Sequence, residues 1–421
     1  MFVWLFRHID FLRAVLLYAL TAFGGPQGHF GMMIRYFCEK RKYITEAELV
    51  ELNAFSQLLP GPSSTQTVML IGYKRGGPVL AVITLLIWVL PAALIMLAFS
   101  FFVTYMELSG DISRTLFHYV HPMTIGFVVY AALKMMRQAV RNTATWLIML
   151  GCALVTVWIH NPWVIPILFV LSGFITNLSN KRIPEKKEPR KQLKWINIRL
   201  FLIVFVILGA LSEWARISRW EYGRIFNLAE NFYRFGTLVY GGGQALLPMM
   251  LFQFVSRPVS LGNAPFLSTT ELMTGFGMVQ AIPGPVFSVC AYVGAMSMNE
   301  FGSGLQIAGG LVALLAVFLP STLLLLFFYP IYHNLKQHVI IFRALEGINA
   351  MIVGIIWASG ILFTMEIFQL KIADFTSEAW LQKLDLPSLL TILLTYLCLK
   401  YTRLPAPILV ATALLAGYFW G

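Results

Sequence analysis

Charge is scarce in this chain. Of its 421 residues only 12% are Asp, Glu, Lys or Arg, about half the ~25% of an ordinary soluble domain. Acids are scarcer than bases, 19 against 31. Cysteine is limited to Cys38, Cys152, Cys290 and Cys398, with no CxxC pair and no zinc-like spacing. That excludes a disulfide scaffold and gives no ground to expect a metal or redox centre. There is no HExxH, no GxxxxGK[ST] phosphate loop and no usable GxGxxG, so a zinc hydrolase, an ATP-driven pump and a dinucleotide enzyme lose their signatures. No cofactor is expected. Residues 1–13, MFVWLFRHIDFLR, place Arg7, His8, Asp10 and Arg13 where a cleavable signal would carry its apolar run, so the first helix is expected to stay in the product.

What fills the sequence instead is apolar. The share of apolar residues is 58%, against ~45–50% in soluble proteins. A chain of this size cannot hide that much apolar surface from water. The expected fold is an all-α polytopic membrane protein, with its charges gathered in loops between ~20-residue spans. The net charge of +12 reads as cytoplasmic loops rich in Lys and Arg, and not as a nucleic-acid surface.

The chain contains two copies of one unit. Residues 44–62, ITEAELVELNAFSQLLPGP, align with residues 267–285, LSTTELMTGFGMVQAIPGP, at a constant offset of 223; six of 19 positions match. Upstream, FGGPQGHFG (23–31) faces YGGGQALLP (240–248), and downstream VLP (89–91) faces FLP (318–320). The expected organisation is an N-terminal repeat over 1–180, a linking segment over 181–214 and a C-terminal repeat over 215–421. The linker NKRIPEKKEPRKQLKWINIR (180–199) holds eight bases against two acids and is expected on the cytoplasmic side, as is the N-terminus.

Loop charges suggest that the copies are inverted. Arg35, Lys40, Arg41, Lys42, Lys74 and Arg75 in half one face only Arg257 and Glu300 in half two. The bias then reverses: ELSGDISR (107–114) faces His333, Lys336, His338 and Arg343. It reverses again where Lys134, Arg137 and Arg141 face Glu366, Asp374, Glu378 and Asp385, and once more where HNP (160–162) faces Lys400 and Arg403. Alternation of this kind is the mark of inverted-topology repeats. Four spans per half are expected, near 78–106, 115–134, 145–160 and 163–179, then 305–330, 344–364, 387–400 and 405–420, with one extra span near 196–214. The GGP and PGP elements lie between apolar stretches too short to cross upright. They read as helix–break–helix hairpins that enter and leave by one face.

The breaks carry the chemistry. In Pro60-Gly61-Pro62 and Pro283-Gly284-Pro285, the last proline suits the first position of a new helix. Such a helix starts inside the membrane with free N–H groups and about +0.5 of an elementary charge, an anion-binding end. Hydroxyls follow: Ser63, Ser64 and Thr65 after one break, and Ser288, aligned with Thr65, after the other. Gln57 and Gln280 stand three residues before each break. No Lys or Arg lies within 44–72 or 261–299, which suits an oxyanion held by neutral donors near the midplane. The competing reading of PGP is a kink in a packed span; repetition of the whole pattern favours a site. Gly24, Gly25 and Gln27 of GGPQGH serve either ligand approach or close helix packing, and Gly242, Gly243 and Gln244 repeat that choice. His29 is either a proton-coupling group or a hydrogen-bonded structural histidine. Glu48 and Glu271 read as capping-box partners of Thr45 and Ser268, not as proton carriers.

The motifs FGGPQGH, LLPGPSSTQ, YGGGQALLP and QAIPGPVFSVCAYVGA together resemble the chromate ion transporter family in its long form with two homologous halves. The resemblance covers both repeats. It implies a bacterial inner-membrane protein that moves chromate outward, with sulfate as isosteric competitor, and leaves the coupling open between protons and sulfate exchange. GGGQ in place of GGPQ in half two departs from the pattern, so the two break sites need not be equivalent. Two other readings are a sulfate or other anion transporter or channel, and a membrane-embedded oxyanion-reducing enzyme; the second lacks redox machinery. The expected partners are the oxyanion, the lipid bilayer and, by habit of the class alone, a second copy in a homodimer.

Overall fold

The computed structural model describes residues 2–23, 25–108, 112–159, 164–178, 196–220, 222–240, 242–331, 339–370, 374, 379–402 and 404–420. Gly24, the side chain of Gln27 and the basic linker 181–195 lie outside the described residues. So do parts of the charge comparison, including His333, Lys336, His338 and Glu378. Nearly all described residues are helical and no strand occurs among them.

The first half runs α1 (Phe2–Thr21), α2 (Gly25–Met33), a π-helical stretch Ile34–Lys40, α3 (Glu46–Ser56), α4 (Ser63–Leu108), α5 (Ile112–Phe117), α6 (Val120–Ala139), α7 (Thr143–Trp158) and α8 (Val164–Asn177). The linking helix α9 is Ile196–Ile217. The second half repeats the order with α10 (Gly223–Leu238), α11 (Leu246–Met250), a π-helical stretch Leu251–Ser256, α12 (Arg257–Ser260), α13 (Thr269–Val279), α14 (Val289–Met296), α15 (Ser303–Phe328), α16 (Val339–Ile367), α17 (Ala379–Gln382), α18 (Leu386–Tyr401) and α19 (Ala406–Trp420). Both π-helical stretches fall at the offset of 217 that aligns the two glycine doublets. All nine expected spans have a helix. Leu147, Leu154, Val170, Phe174, Leu394 and Leu415 stay exposed on them, as a lipid-facing surface requires.

Two compact units make up the fold, and each draws on both halves. One comprises Met1–Ser100, Asn180–Gly243 and Ile282–Phe342; the other comprises Phe101–Ser179, Gln244–Ala281 and Arg343–Gly421. In the second unit α6 packs against α13 and α18. There His121 Nε2 pairs with Thr274 Oγ1 at 2.9 Å, and Thr124 Oγ1 donates to the Met273 carbonyl. Asn142 caps α7 and donates to Glu346 Oε1 at 2.7 Å, which makes Glu346 a boundary group.

The first unit shows why α4 is not one straight helix. Thr65 and Trp88 are 23 residues apart, which is ~34 Å along a continuous helix. Their side chains are hydrogen-bonded at 3.0 Å. The helix therefore folds back on itself, and the fold is at Gly76 and Gly77, whose dihedrals leave the helical region. The arm 63–75 also runs back along α3: Thr67 Oγ1 lies 3.4 Å from Asn53 Oδ1 and 3.3 Å from Ser56 Oγ. At the far end of the same pair Lys74 Nζ meets Glu48 Oε1 at 2.6 Å. So α3 and the arm form a hairpin with a clasped outer end and the break at its inner end. Eleven residues of α3 put ~16 Å of helix between the clasp and the break.

Candidate functional site

Both breaks begin from capped helices. Thr45 and Ser268 accept from the N3 amides of α3 and α13, while Glu48 and Glu271 reach back to the cap amides. These are the two capping boxes that the spacing predicts. The glutamates therefore sit at helix starts, each twelve residues before the first proline of its break.

The two Pro-Gly-Pro corners, both in the first unit, are tied into the opposite sequence half in a reciprocal way. Gly61 N–H donates to the Val239 carbonyl at 2.6 Å, and Gly284 N–H donates to the Ala22 carbonyl at 2.8 Å. Val239 and Ala22 each stand two residues before a glycine doublet, at equivalent repeat positions. Both glycines have positive φ, +113° and +116°, which a side chain resists. A Cβ on Gly61 would lie 2.5 Å from Ser321 Cβ, and one on Gly284 would lie 2.8 Å from Ala92 Cβ. Ser321 and Ala92 are again equivalent, each following a Leu-Pro pair. Each corner is held between a carbonyl that precedes the other half's glycine doublet and the residue that follows its Leu-Pro pair.

Helix starts follow these corners. Pro62 stands one residue before α4, and Pro285 precedes the 3-10 turn Val286–Ser288 that leads into α14. Each proline is one position earlier than the sequence suggests, and at Pro285 the extended backbone turns the corner before the helix winds. Pro60 and Pro62 are buried, with carbonyls that accept from Gln66: Nε2 bonds Pro60 O at 2.7 Å, and the Gln66 amide bonds Pro62 O at 2.9 Å. The first three amides of α4, on Ser63, Ser64 and Thr65, have no intrahelical acceptor.

Around that tip the side chains are polar and buried. Ser64, Thr65 and Gln66 are at most 5% exposed, and His29 is at 1%. His29, on α2, places Nδ1 3.3 Å from Ser64 Oγ. Its carbonyl accepts from Tyr18 at 2.9 Å. Trp88 donates its indole N–H to Thr65 Oγ1, stacks on Tyr18 at 4.8 Å and meets the His29 ring edge-on at 5.3 Å. His29 Nε2 and Gln66 Oε1 are buried with no hydrogen-bond partner. Unsatisfied buried polar atoms are rare in native folds and call for an unseen ligand, ion or water.

The second tip keeps the scaffold and loses much of that chemistry. Ser288 is fully buried and its Oγ has no partner. Position for position, Tyr18, His29, Ser64, Gln66 and Trp88 become Phe235, Leu246, Phe287, Val289 and Val317. Ser288 thus lacks the indole donor that its counterpart Thr65 enjoys.

The remaining sequence-predicted residues divide. Gly25 opens α2, and Gly242 is buried with φ of +127°. Gly243 presses its Cα against Val286, where a Cβ would come within 2.6 Å of Cγ1; that is a packing role. Pro283 is half-buried, and Gly284 and Pro285 are buried. Gln57 caps the end of α3 and is exposed, so it is not part of the buried tip. Gln280 caps α13 and Gln244 follows the doublet; both are half-buried in the second unit. Sequence reasoning missed Tyr18, Gln66 and Trp88. A tryptophan deep in a span needs an acceptor for its N–H, and that requirement was the signal available.

The chromate transporter family, as a sequence model, matches residues 9–176 and 226–418. The chain belongs to the chromate transporter family. The two matched segments fall on the two halves of the repeat, with α9 between them. Among relatives, a chromate transport protein of Cupriavidus metallidurans is 25% identical over 413 residues, covering 96% of this chain and 92% of that protein. An uncharacterized transporter of Methanocaldococcus jannaschii is 23% identical over 365 residues, covering 85% and 84%. The uncharacterized transporter YwrA of Bacillus subtilis is 26% identical over 187 residues, which is 44% of this chain but 92% of that protein. That relative is about one half long. No solved structure matches. Family membership supports a role in chromate transport by a multi-pass membrane protein, and points to a transporter and not to an enzyme.

Proposed function

We propose that this member of the chromate transporter family is a secondary exporter of tetrahedral oxyanions. Chromate is the foremost substrate, sulfate is the competing or exchanged ion, and the bacterial inner membrane is the site of action. The observation that carries this reading is the first helix tip, where amides without an intrahelical acceptor stand beside two buried hydroxyls paired with His29 and Trp88, and no lysine or arginine lies within residues 44–72. Trp88 occupies an acceptor position of Thr65 Oγ1, which leaves the Thr65 hydrogen to donate to an anion. In the tautomer with its proton on Nδ1, His29 donates to Ser64 Oγ and leaves the Ser64 hydrogen free in the same way. The anion's seat lies at the first break, with the Ser288 hydroxyl of the second break as an additional donor.

Proton coupling has a natural carrier here. With Nδ1–H on Ser64, neutral His29 offers a lone pair at Nε2 and repels an anion. Protonation turns Nε2 into a charged donor, so a proton and a dianion each favour the other's binding. In this reading the hairpins are re-entrant, the repeats span 1–180 and 215–421 in opposite orientation, and the segment 181–214 joins them from the cytoplasmic face. The test is chromate uptake into inside-out vesicles with and without an imposed proton gradient. Saturable uptake above control membranes, stimulated by trans sulfate or by the gradient, is expected. Vesicles that match empty-vector membranes for both chromate and sulfate overturn the proposal.

A further inference from the structure

The helix α10 carries a polar stripe that the first half repeats only in its first two positions. Asn227, Glu230, Arg234 and Thr237 follow one another at three- and four-residue spacing and so share one face. All four are half-buried. The opposite face is packed, with Leu228, Phe232, Phe235 and Val239 buried; Gly236 there lies against the Val317 carbonyl of α15. Arg234 Nε stands 3.4 Å from Glu230 Oε1, the two side chains being 18% and 19% exposed. Arg234 Nη2 also donates to Asn231 Oδ1. Asn231 in turn bonds the Asn227 carbonyl at 2.7 Å, and Asn227 reaches Ser212 on α9.

The position of this pair matters more than its existence. Arg234 is eleven residues past the start of α10, ~16 Å along the helix. Five residues further, Val239 supplies the carbonyl that binds the Gly61 amide at the first break. In the first half the same places are Asp10, Arg13, Leu17 and Leu20, and Leu17 and Leu20 are exposed, as a lipid-facing surface would be. The fold therefore does not require polarity at this depth. A guanidinium and a carboxylate at that level must face water or a partner and not hydrocarbon.

We infer that this face of α10 lines the aqueous approach to the first break, and that Arg234 is a substrate-contact residue on it. The entering dianion competes with Glu230 for the guanidinium. Arginine suits an oxyanion because its planar fork matches two oxygens at once. Glu230 is the internal competitor that keeps the affinity low enough for release, so it is a positioning residue acting through Arg234. The inference rests on the reading of the first break as the anion's seat.

The test is the concentration dependence of chromate flux in proteoliposomes of the full chain, with R234Q, R234K and E230Q beside wild type. R234Q is expected to raise KM about tenfold, the scale of one lost charge-assisted contact, and R234K is expected to raise it less. E230Q should lower KM, in the opposite direction. A purely structural ion pair would be damaged alike from either side. Unchanged KM in all three variants, or shifts of the same sign for R234Q and E230Q, overturns the assignment. Where R234Q does not accumulate, T237C gives a second measurement. A small charged thiol reagent should modify it faster than wild type, and chromate should slow that modification; an inert Thr237→Cys overturns the aqueous path. If wild-type proteoliposomes carry no chromate, the seat at the first break fails. If they do and the KM values fail to separate, only the α10 assignment fails.

Discussion

Thr65 and Ser288 are equivalent in sequence and unlike in surroundings, and the difference sets what each substitution does. In T65V the Trp88 N–H is left buried without an acceptor, at a cost of ~1–3 kcal/mol, and the anion loses a committed donor. We expect T65V to lower chromate flux at least about tenfold and W88F several-fold, while T65S, which keeps the bond to Trp88, stays near wild type. S288A removes an oxygen that has no partner, so folding should not suffer, and flux should fall only a few-fold. Vesicle flux divided by membrane abundance checks all four. Equal losses of flux and abundance would mean that the breaks only hold the fold. The polar tip was half legible in the sequence. Ser63, Ser64, Thr65 and Ser288 follow a visible motif, whereas the partners of Thr65 and Ser64, Trp88 and His29, come from 23 and 35 residues away and depend on the tertiary fold. Gln57 looked like a ligand because it repeats, but it is a helix terminus in an exposed place.

At the level of elements, the hairpin built from α3 and the first arm of α4 is fixed at both ends. Its inner end depends on Gly61. Alanine there meets φ of +113° and a Cβ overlap at 2.5 Å with Ser321; the backbone strain alone is roughly 1–3 kcal/mol. G61A should therefore lose most of its monodisperse peak in detergent chromatography, and G61A/S321G should recover part of it because the overlap is removed and the strain is not. Recovery to wild type, or no loss at all, would contradict the wedge. The outer end depends on Glu48 and Lys74. The Lys74 hydrogen bond, helped by the Thr45 cap, holds the Glu48 carboxyl down at about 2. A depressed carboxylate stabilises the fold fully above its unfolded value of ~4.3, and that contribution disappears as pH falls towards 2. Glu48 is 42% exposed, so screening keeps the effect below ~1 kcal/mol. E48Q should melt slightly lower than wild type at pH 7, and the gap should narrow as pH falls below 4. Capping boxes, break motifs and span lengths are local patterns, which is why a single sequence displays them. The fold-back at Gly76–Gly77 hides inside a long apolar run, and the crossed bonds Gly61–Val239 and Gly284–Ala22 join segments about 180 to 260 residues apart. No periodicity encodes them.

For the whole molecule, the question is orientation. In the proposed reading four spans bring the first half back to the face where it began, and the single helix α9, which lies between the two halves, starts the second copy from the other face. The reciprocal wedging of the two corners is what a two-fold relation between such copies produces: each donates the same amide to the same carbonyl and approaches the same bend in its counterpart. If the axis lies in the membrane plane, the outer end of the first hairpin and the matching end of the second open to opposite sides. Arg41 and Asn299 sit near those ends, the first exposed and the second half-buried, and the surrounding charges differ in the sense expected of cytoplasmic and external loops. R41C and N299C, each labelled with an impermeant maleimide in right-side-out and inside-out vesicles, should react from opposite faces. Labelling of both from one face would place the two-fold axis along the membrane normal. The copies would then run parallel, their hairpins would enter from the same side, and one anion seat could not be reached alternately from both.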